Sequence, residues 1–245
     1  MAKGDAVPPV DPPSPDEPPI ESAFAEVLES AARLQQLIPD AVLIGGTAAA
    51  FYVHHRLSFH HDHVLSRLQE QFDAVLDAVE AEGDWVTNRV IYGKIILGSI
   101  GAIEAGVRQL IRKTPLEVAE VELPSGATLR VPTIDETLRI KAFLAIRRNQ
   151  VRDYLDIAAL SDRVGVQHAA DVLAAMDRYY ADQHGAGEGV SSQVARQLAD
   201  PRPRDAGVIR QLDSYKGLRP EWRDWSRVVD VCQEVASLMV EGPIS

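Results

Sequence analysis

Cysteine is almost missing from this chain. One thiol in 245 residues, Cys232, leaves no internal disulfide to stabilise the fold, so the core must do it, and a cytoplasmic compartment is expected. Long apolar runs are missing too. None approaches the ~18 residues of a membrane span, and the N-terminus has no apolar stretch of the secretory kind, so no membrane partner is expected. Positive charge is scarce: 25 Lys and Arg face 36 Asp and Glu, a net charge of −11 that excludes indiscriminate coating of nucleic acid. The deficit is uneven. Between Ala105 and Arg152 nine basic residues stand against five acids, whereas Met1 to Pro39 has two against seven. A basic face on an acidic protein is compatible with a selective polyanionic ligand.

Apolar residues make up 46 % of the chain and charged residues 25 %, the mixture of a globular protein with one large domain or two small ones. Residues 8 to 19, "PPVDPPSPDEPP", hold seven prolines and three acids, and 1–19 reads as a disordered tail. Ile20, Phe24, Val27, Ala31 and Leu34 then recur at helical spacing. "DAVLIGG" (40–46) reads as a buried strand ended by glycines, and "TAAAFYVHHR" (47–56) as a helix. Leu65, Leu68, Phe72, Val75 and Val79 predict a further amphipathic helix. The segments 85–100, 103–112 and 127–133 read as strands. From Ile134 onward the signals are helical, and the stripe Trp222, Trp225, Val229, Cys232, Ala236, Met239 reads as core packing. The expected fold class is α/β: a mixed sheet with flanking helices over 20–133, then a helical domain over 134–245.

Three stretches carry chemistry. In "LIGGTAAAF" a strand enters a helix through Gly45 and Gly46, leaving unpaired N–H groups as an anion site, with the Thr47 hydroxyl beside it; a merely tight turn is the competing reading. In "SFHHDHVL" (58–65) lie three of the five histidines found between His54 and His63. If this is a strand, His60 and Asp62 share one face and His61 and His63 the other. Two ligand-type residues two apart suit a divalent ion, and the strand can return beside 40–45 to face the glycine turn. Zinc bound by the histidines, or plain surface histidines, remain open alternatives. In "TLRIKAFLAIRRNQVRDYLDIAAL" (137–160) Lys141 sits among apolar neighbours and needs an anionic partner or an outward path. Asn149 is placed to cap the following helix, Asp153 suits its N-terminal end, and Arg152 and Asp156 are spaced for an i,i+4 pair.

Together, "LIGGTAAAF…HRLSFHHDH" and "PTIDETLRIKAFLAIRRNQVRDYLDIAAL" resemble the AbiEii/AbiGii-type nucleotidyltransferase toxins, which have a polymerase β-like nucleotidyltransferase core. The resemblance covers roughly residues 40 to 160. It implies nucleotide transfer from an NTP to an acceptor with Mg²⁺ or Mn²⁺, tRNA 3′ ends or other RNA among the acceptors, and a separately encoded antitoxin. Carried over, it implies a triphosphate cradle at Gly45, Gly46 and Thr47, with Arg56, Ser58, Arg152 and Asp153 also binding nucleotide. Asp62, Lys141 and Asp156 take catalytic roles, and Asp62, His60 and Glu104 hold metal. Arg147, Arg148 and Arg152 would face an RNA acceptor. His60 stands where the family's first metal-binding aspartate belongs, and the resemblance puts Gln109 at the position of a third carboxylate. Since Mg²⁺ prefers carboxylates to imidazole and Mn²⁺ tolerates nitrogen better, a domain of the same fold that binds nucleotide, RNA or protein with impaired chemistry is the alternative.

Overall fold

The computed structural model describes residues 20–183, 187–215 and 217–241, so the proline-rich tail expected over 1–19 lies outside the described residues. Helix α1 (Ile20–Leu37) buries Phe24, Val27, Ala31 and Leu34, the stripe its spacing predicts. The main sheet has five strands: β1 (Val42–Ile44), β2 (His60–Leu65), β3 (Trp85–Ile91), β4 (Ile95–Ile100) and β5 (Ile103–Gln109). Their order is β1-β2-β5-β4-β3. The β2–β5 pair is parallel and the other neighbours are antiparallel, so the sheet is mixed.

Helix α2 (Gly45–Val53) follows β1 without a linker, and α3 (Phe72–Glu80) packs with α1 against Leu65, Leu68, Trp85, Ile96 and Val107 of the sheet region. The stripe Leu65–Val79 is buried as expected, yet only its second half is helical. Leu65 ends β2, and the N–H groups of Glu70 and Gln71 close a turn onto the Arg67 carbonyl. Steps of three and four there report burial, not helix.

A hairpin of β6 (Val118–Glu122) and β7 (Thr128–Pro132) leads into the helical half. Strand β6 was not among the expected strands, because its Val-Ala-Glu-Val-Glu sequence is half polar and little of it is buried. Among the described residues six α-helices follow: α4 (Ile134–Arg148), α5 (Val151–Val164), α6 (Val166–Ala174), α7 (Met176–Tyr179), α8 (Val190–Ala199) and α9 (Trp225–Glu241). Thr133 caps α4 by accepting the Glu136 N–H, with Asp135 and Glu136 in the first turn and Arg147 and Arg148 in the last, each matching the helix dipole. Tyr154, Leu160, Leu173, Leu198, Val228 and Cys232 form the helical core, into which Ala49 of α2 also packs. Of the C-terminal stripe, Trp222 is buried but precedes α9, in a short 3-10 turn.

One expected cap is corrected. Asn149 does not cap α5; it ends α4 in the left-handed conformation (φ 52°), and its amide donates to the Arg202 carbonyl. No described helix is long and apolar enough to cross a membrane.

The two faces of β2 differ as alternation requires. His61 and His63 point into the packing between the sheet and α1, where His61 bonds the Ser30 hydroxyl at 3.0 Å and neither ring nitrogen of His63 has a hydrogen-bond partner among the described residues. Burial pushes His61 down to about 4 and His63 well below its ordinary value. Both are therefore neutral when folded. As pH falls below 6.5 the unfolded chain takes up protons that the folded chain refuses, so stability is lost from there down to about pH 4 and beyond. Urea unfolding at pH 7, 6 and 5 should show this slope, and His63→Leu should reduce it by up to about 1.4 kcal/mol per pH unit. An unchanged slope would mean that His63 takes up its proton in the folded state.

Candidate active site

Gly45 and Gly46 open α2 directly after β1. Gly45 has a φ of 82°, which a side chain would strain, and the residue before it supplies no side-chain cap. The first N–H groups of α2 therefore have no protein cap from that side. Gly46 is glycine for a second reason. A Cβ there would lie 2.6 Å from the Arg56 guanidinium, which crosses over it.

Arg56 reaches Asp156, the most heavily engaged carboxylate of the site. Asp156 Oδ1 accepts from His55 Nε2 and Arg56 Nε, each at 2.7 Å; Oδ2 accepts from Arg56 Nη2 at 2.9 Å and lies 2.6 Å from Lys141 Nζ. His55, Lys141 and Asp156 are buried, and Arg56 nearly so. Burial alone would raise the Asp156 carboxyl, but the charges of Arg56 and Lys141 outweigh it and hold the group well below the usual carboxylate range. Burial lowers both Lys141 and His55, with Asp156 opposing in each case. With His55 neutral, Arg56 and Lys141 share a single carboxylate, and the cluster keeps one positive charge in excess.

This cluster floors a pocket of about 630 Å³ between the sheet and α4 and α5. Of the expected nucleotide and metal residues, Gly45, Gly46, Arg56, Ser58, His60, Asp62, Glu104, Lys141 and Arg152 line it. Thr47, Asp153 and Asp156 do not. Thr47 is buried and donates to the His60 carbonyl, which Ser58 also bonds, so the two hydroxyls fix the entry into β2. Asp153 is buried behind Arg148, which it binds through two hydrogen bonds at 2.7 and 2.5 Å. The expected Arg152–Asp156 pair does not form. Asp156 is taken by the cations above, and Arg152 donates to Gln150. Arg147 is exposed outside the pocket lining, while Arg148 lines it.

On the pocket face of β2, Asp62 lies opposite Ile44 of β1 and Gly106 of β5, and His60 opposite Glu104. Asp62 Oδ2 is 3.7 Å from His60 Nε2, and 3.7 Å from where a Gly45 Cβ would be. Asp62 Oδ1 accepts from Arg108 Nε at 3.2 Å. Arg108 was not a sequence candidate, although alternation from Glu104 places it on this face. His55 was also missed as a partner of Asp156. The histidine stretch does not converge on zinc: His55 turns to Asp156 and His61 and His63 to the back of the sheet, and among the described residues no three His, Cys, Asp or Glu side chains are grouped to hold a metal ion.

The Asp62 carboxylate and the His60 imidazole are the two pocket-face side chains of β2 that could hold a divalent ion between them. Their 3.7 Å separation matches neither the ~3.0 Å of neighbouring nor the ~4.2 Å of opposite octahedral positions at bonds of ~2.1 Å, so one side chain would have to move by about half an ångström or more to share an ion. Nucleotide phosphates and water would supply the other ligands, as Mg²⁺ sites ordinarily require, and the imidazole favours Mn²⁺.

A mixed sheet with a glycine-led helix N-terminus facing a carboxylate strand, under a cationic helical wall, defines a nucleotidyltransferase fold. The family described as "Nucleotidyl transferase AbiEii toxin, Type IV TA system" matches residues 26–231, and the chain belongs to it. The fold is similar to that of the nucleotidyltransferase toxin MenT4 of Mycobacterium tuberculosis, with a TM-score of 0.51, 17 % identity, and coverage of 91 % of this chain and 86 % of that one. Among curated proteins, the mycolic acid-containing lipids exporter MmpL11 of Mycolicibacterium smegmatis is 38 % identical over 130 residues, which are 53 % of this chain and 13 % of that protein. The heme uptake protein MmpL11 of Mycobacterium tuberculosis is 40 % identical over 130 residues, with the same coverage. The chain thus matches only about an eighth of the length of these relatives.

The two aspartates should separate in thermal and urea unfolding. Asp156→Ala leaves Arg56 and Lys141 buried without their carboxylate and should cost about 3–5 kcal/mol. Asp62→Asn, at a partly exposed pair, should cost less than about 1 kcal/mol. Equal losses would contradict the division between a buried anchor and an open site.

Proposed function

We propose that this chain transfers a nucleotide from an NTP to a hydroxyl of an RNA acceptor, the tRNA 3′ end among the candidates. The observation that carries this reading is the cluster under the pocket: one uncompensated positive charge, beside an uncapped helix N-terminus, asks for a multiply charged anion. A triphosphate answers it. Arg56 and Lys141 are fixed by Asp156, so they meet phosphate oxygens with little loss of side-chain freedom, which is the preorganisation that transition-state stabilisation needs.

In the transfer, the acceptor oxygen bonds to the α-phosphorus, the bond from that phosphorus to the bridging oxygen of the β-phosphate breaks, and pyrophosphate leaves with the electron pair. The hydroxyl proton passes to solvent or to a neighbouring carboxylate. Within the chain, Gly45 and Gly46 receive phosphate oxygens on backbone N–H groups, and Lys141 and Arg56 balance charge on the leaving pyrophosphate. Asp156 acts by positioning these two cations. A divalent ion, Mg²⁺ or Mn²⁺, bound by Asp62 and His60, would add neutralisation of the phosphate charge. Arg148 and Arg152, at the pocket rim, suit the backbone of an RNA acceptor. A separately encoded antitoxin is proposed as a partner on the family's description.

A second reading has its own observation. Asp62 is the only carboxylate of the β2 pair and one of its oxygens already binds Arg108, which favours a domain that holds nucleotide without transferring it.

The test uses the purified chain with labelled NTPs, total tRNA, and Mg²⁺ or Mn²⁺. Wild type should label RNA, more strongly with Mn²⁺, and Asp62→Ala should lower labelling by about 100-fold or more with the circular dichroism unchanged. Equal labelling by Asp62→Ala would overturn the assignment. NTP-dependent thermal stabilisation without labelling would establish the second reading.

A further inference from the structure

Sharing a pair of ions between β2 and β5 would need a carboxylate on β5 near Asp62. Parallel pairing puts Glu104, Gly106 and Arg108 on the pocket face of β5, with Gly106 directly opposite Asp62. A side chain at position 106 would first have to displace Asp62 and Leu97. A Cβ there would lie 2.8 Å from Asp62 Oδ1 and 2.8 Å from Leu97 Cδ2. Glu104 is one step away, opposite His60. One step the other way, Arg108 reaches back and donates Nε–H to Asp62 Oδ1 at 3.2 Å. The β5 position opposite Asp62 therefore carries no side chain, and the next one on that face, Arg108, brings a cation to Asp62 where a shared-ion site needs an anion.

We propose that Arg108 is a resident cation of the nucleotide site: its guanidinium takes the place of a second divalent ion, so one ion, not two, accompanies each bound triphosphate. This rests on the nucleotide reading above. A guanidinium has five N–H donors, and with Nε–H on Asp62 the two terminal nitrogens remain able to meet phosphate oxygens in a paired geometry. Asp62 orients the fork and leaves Oδ2, on the His60 side, for the one ion. Arg108 itself is partly exposed, so it can reach a ligand in the pocket, and removing it leaves no buried charge unpaired.

Inorganic tripolyphosphate is the probe, because it tests the phosphate site whatever the base. Equilibrium dialysis with manganese paramagnetic resonance counts ions per bound tripolyphosphate, and calorimetry gives the affinity. Wild type should bind one Mn²⁺ per tripolyphosphate. Arg108→Gln should bind tripolyphosphate about tenfold more weakly at the same Mn²⁺ concentration, with an unchanged melting temperature, and Arg108→Lys should recover most of the loss. Two ions per tripolyphosphate in the wild type, or an Arg108→Gln affinity equal to wild type, would overturn the inference while leaving the nucleotide reading in place. No binding of tripolyphosphate with or without Mn²⁺ would overturn both.

Discussion

The carboxylate of Asp156 is where the two halves of this molecule are tied. It sits on α5, and its partners come from the loop after α2 (His55 and Arg56) and from α4 (Lys141), three segments up to about a hundred residues apart. Taking these charges out of water is costly, and an apolar cluster of the same volume would hold the segments together at least as well. The ionic version adds direction. Each donor approaches a particular lone pair, so Arg56 and Lys141 are fixed in angle as well as in place. A second buried acid repeats the device on α4. Glu136 of α4 is paired with Arg112, from the segment after β5, and with Arg139, which also binds Glu117. Helix α4 is thus anchored at two points by charge, and the pocket lies between it and the sheet.

Local patterns foretold what depends on near neighbours. Alternation assigned the faces of β2 because a strand has period two whatever it packs against, so His60 and Asp62 on the pocket side and His61 and His63 behind follow from four consecutive letters. The glycine pair at 45 and 46 marked the turn into α2 for a backbone reason that sequence can carry. The same period would also have placed Arg108 beside Asp62, had the parallel register of β2 and β5 been known. Register across a parallel pair is set by the whole sheet, with α3, β3 and β4 lying between the two strands in sequence, and no short stretch encodes it.

Partners were the least legible feature. Spacing offered Arg152 to Asp156 at i,i+4, a pairing worth a few tenths of a kcal/mol on an exposed helix. Here Asp156 is buried, and the desolvated cations brought by tertiary packing compete for it far more strongly than a residue at the pocket rim. Asn149 went astray likewise. An asparagine between two helical runs serves equally as a cap for the second or as the left-handed end of the first, and the contact with Arg202, fifty residues on, accompanies the second outcome.

Charge distribution explains how an acidic chain can serve an anionic ligand. With a net charge of −11 the molecule repels polyanions over most of its surface. In the pocket, five cationic side chains face two carboxylates, and even after Asp153 and Asp156 are counted against them a positive excess remains. Low-dielectric walls on either side concentrate that excess, while screening over about 8 Å at physiological salt confines it to ligands that enter. Affinity then comes from fitting the cavity rather than from touching the surface. That separates this site from a basic patch, which would attract any nucleic acid, and it is the arrangement that the proposed triphosphate would meet at the buried, oriented cations around Asp156.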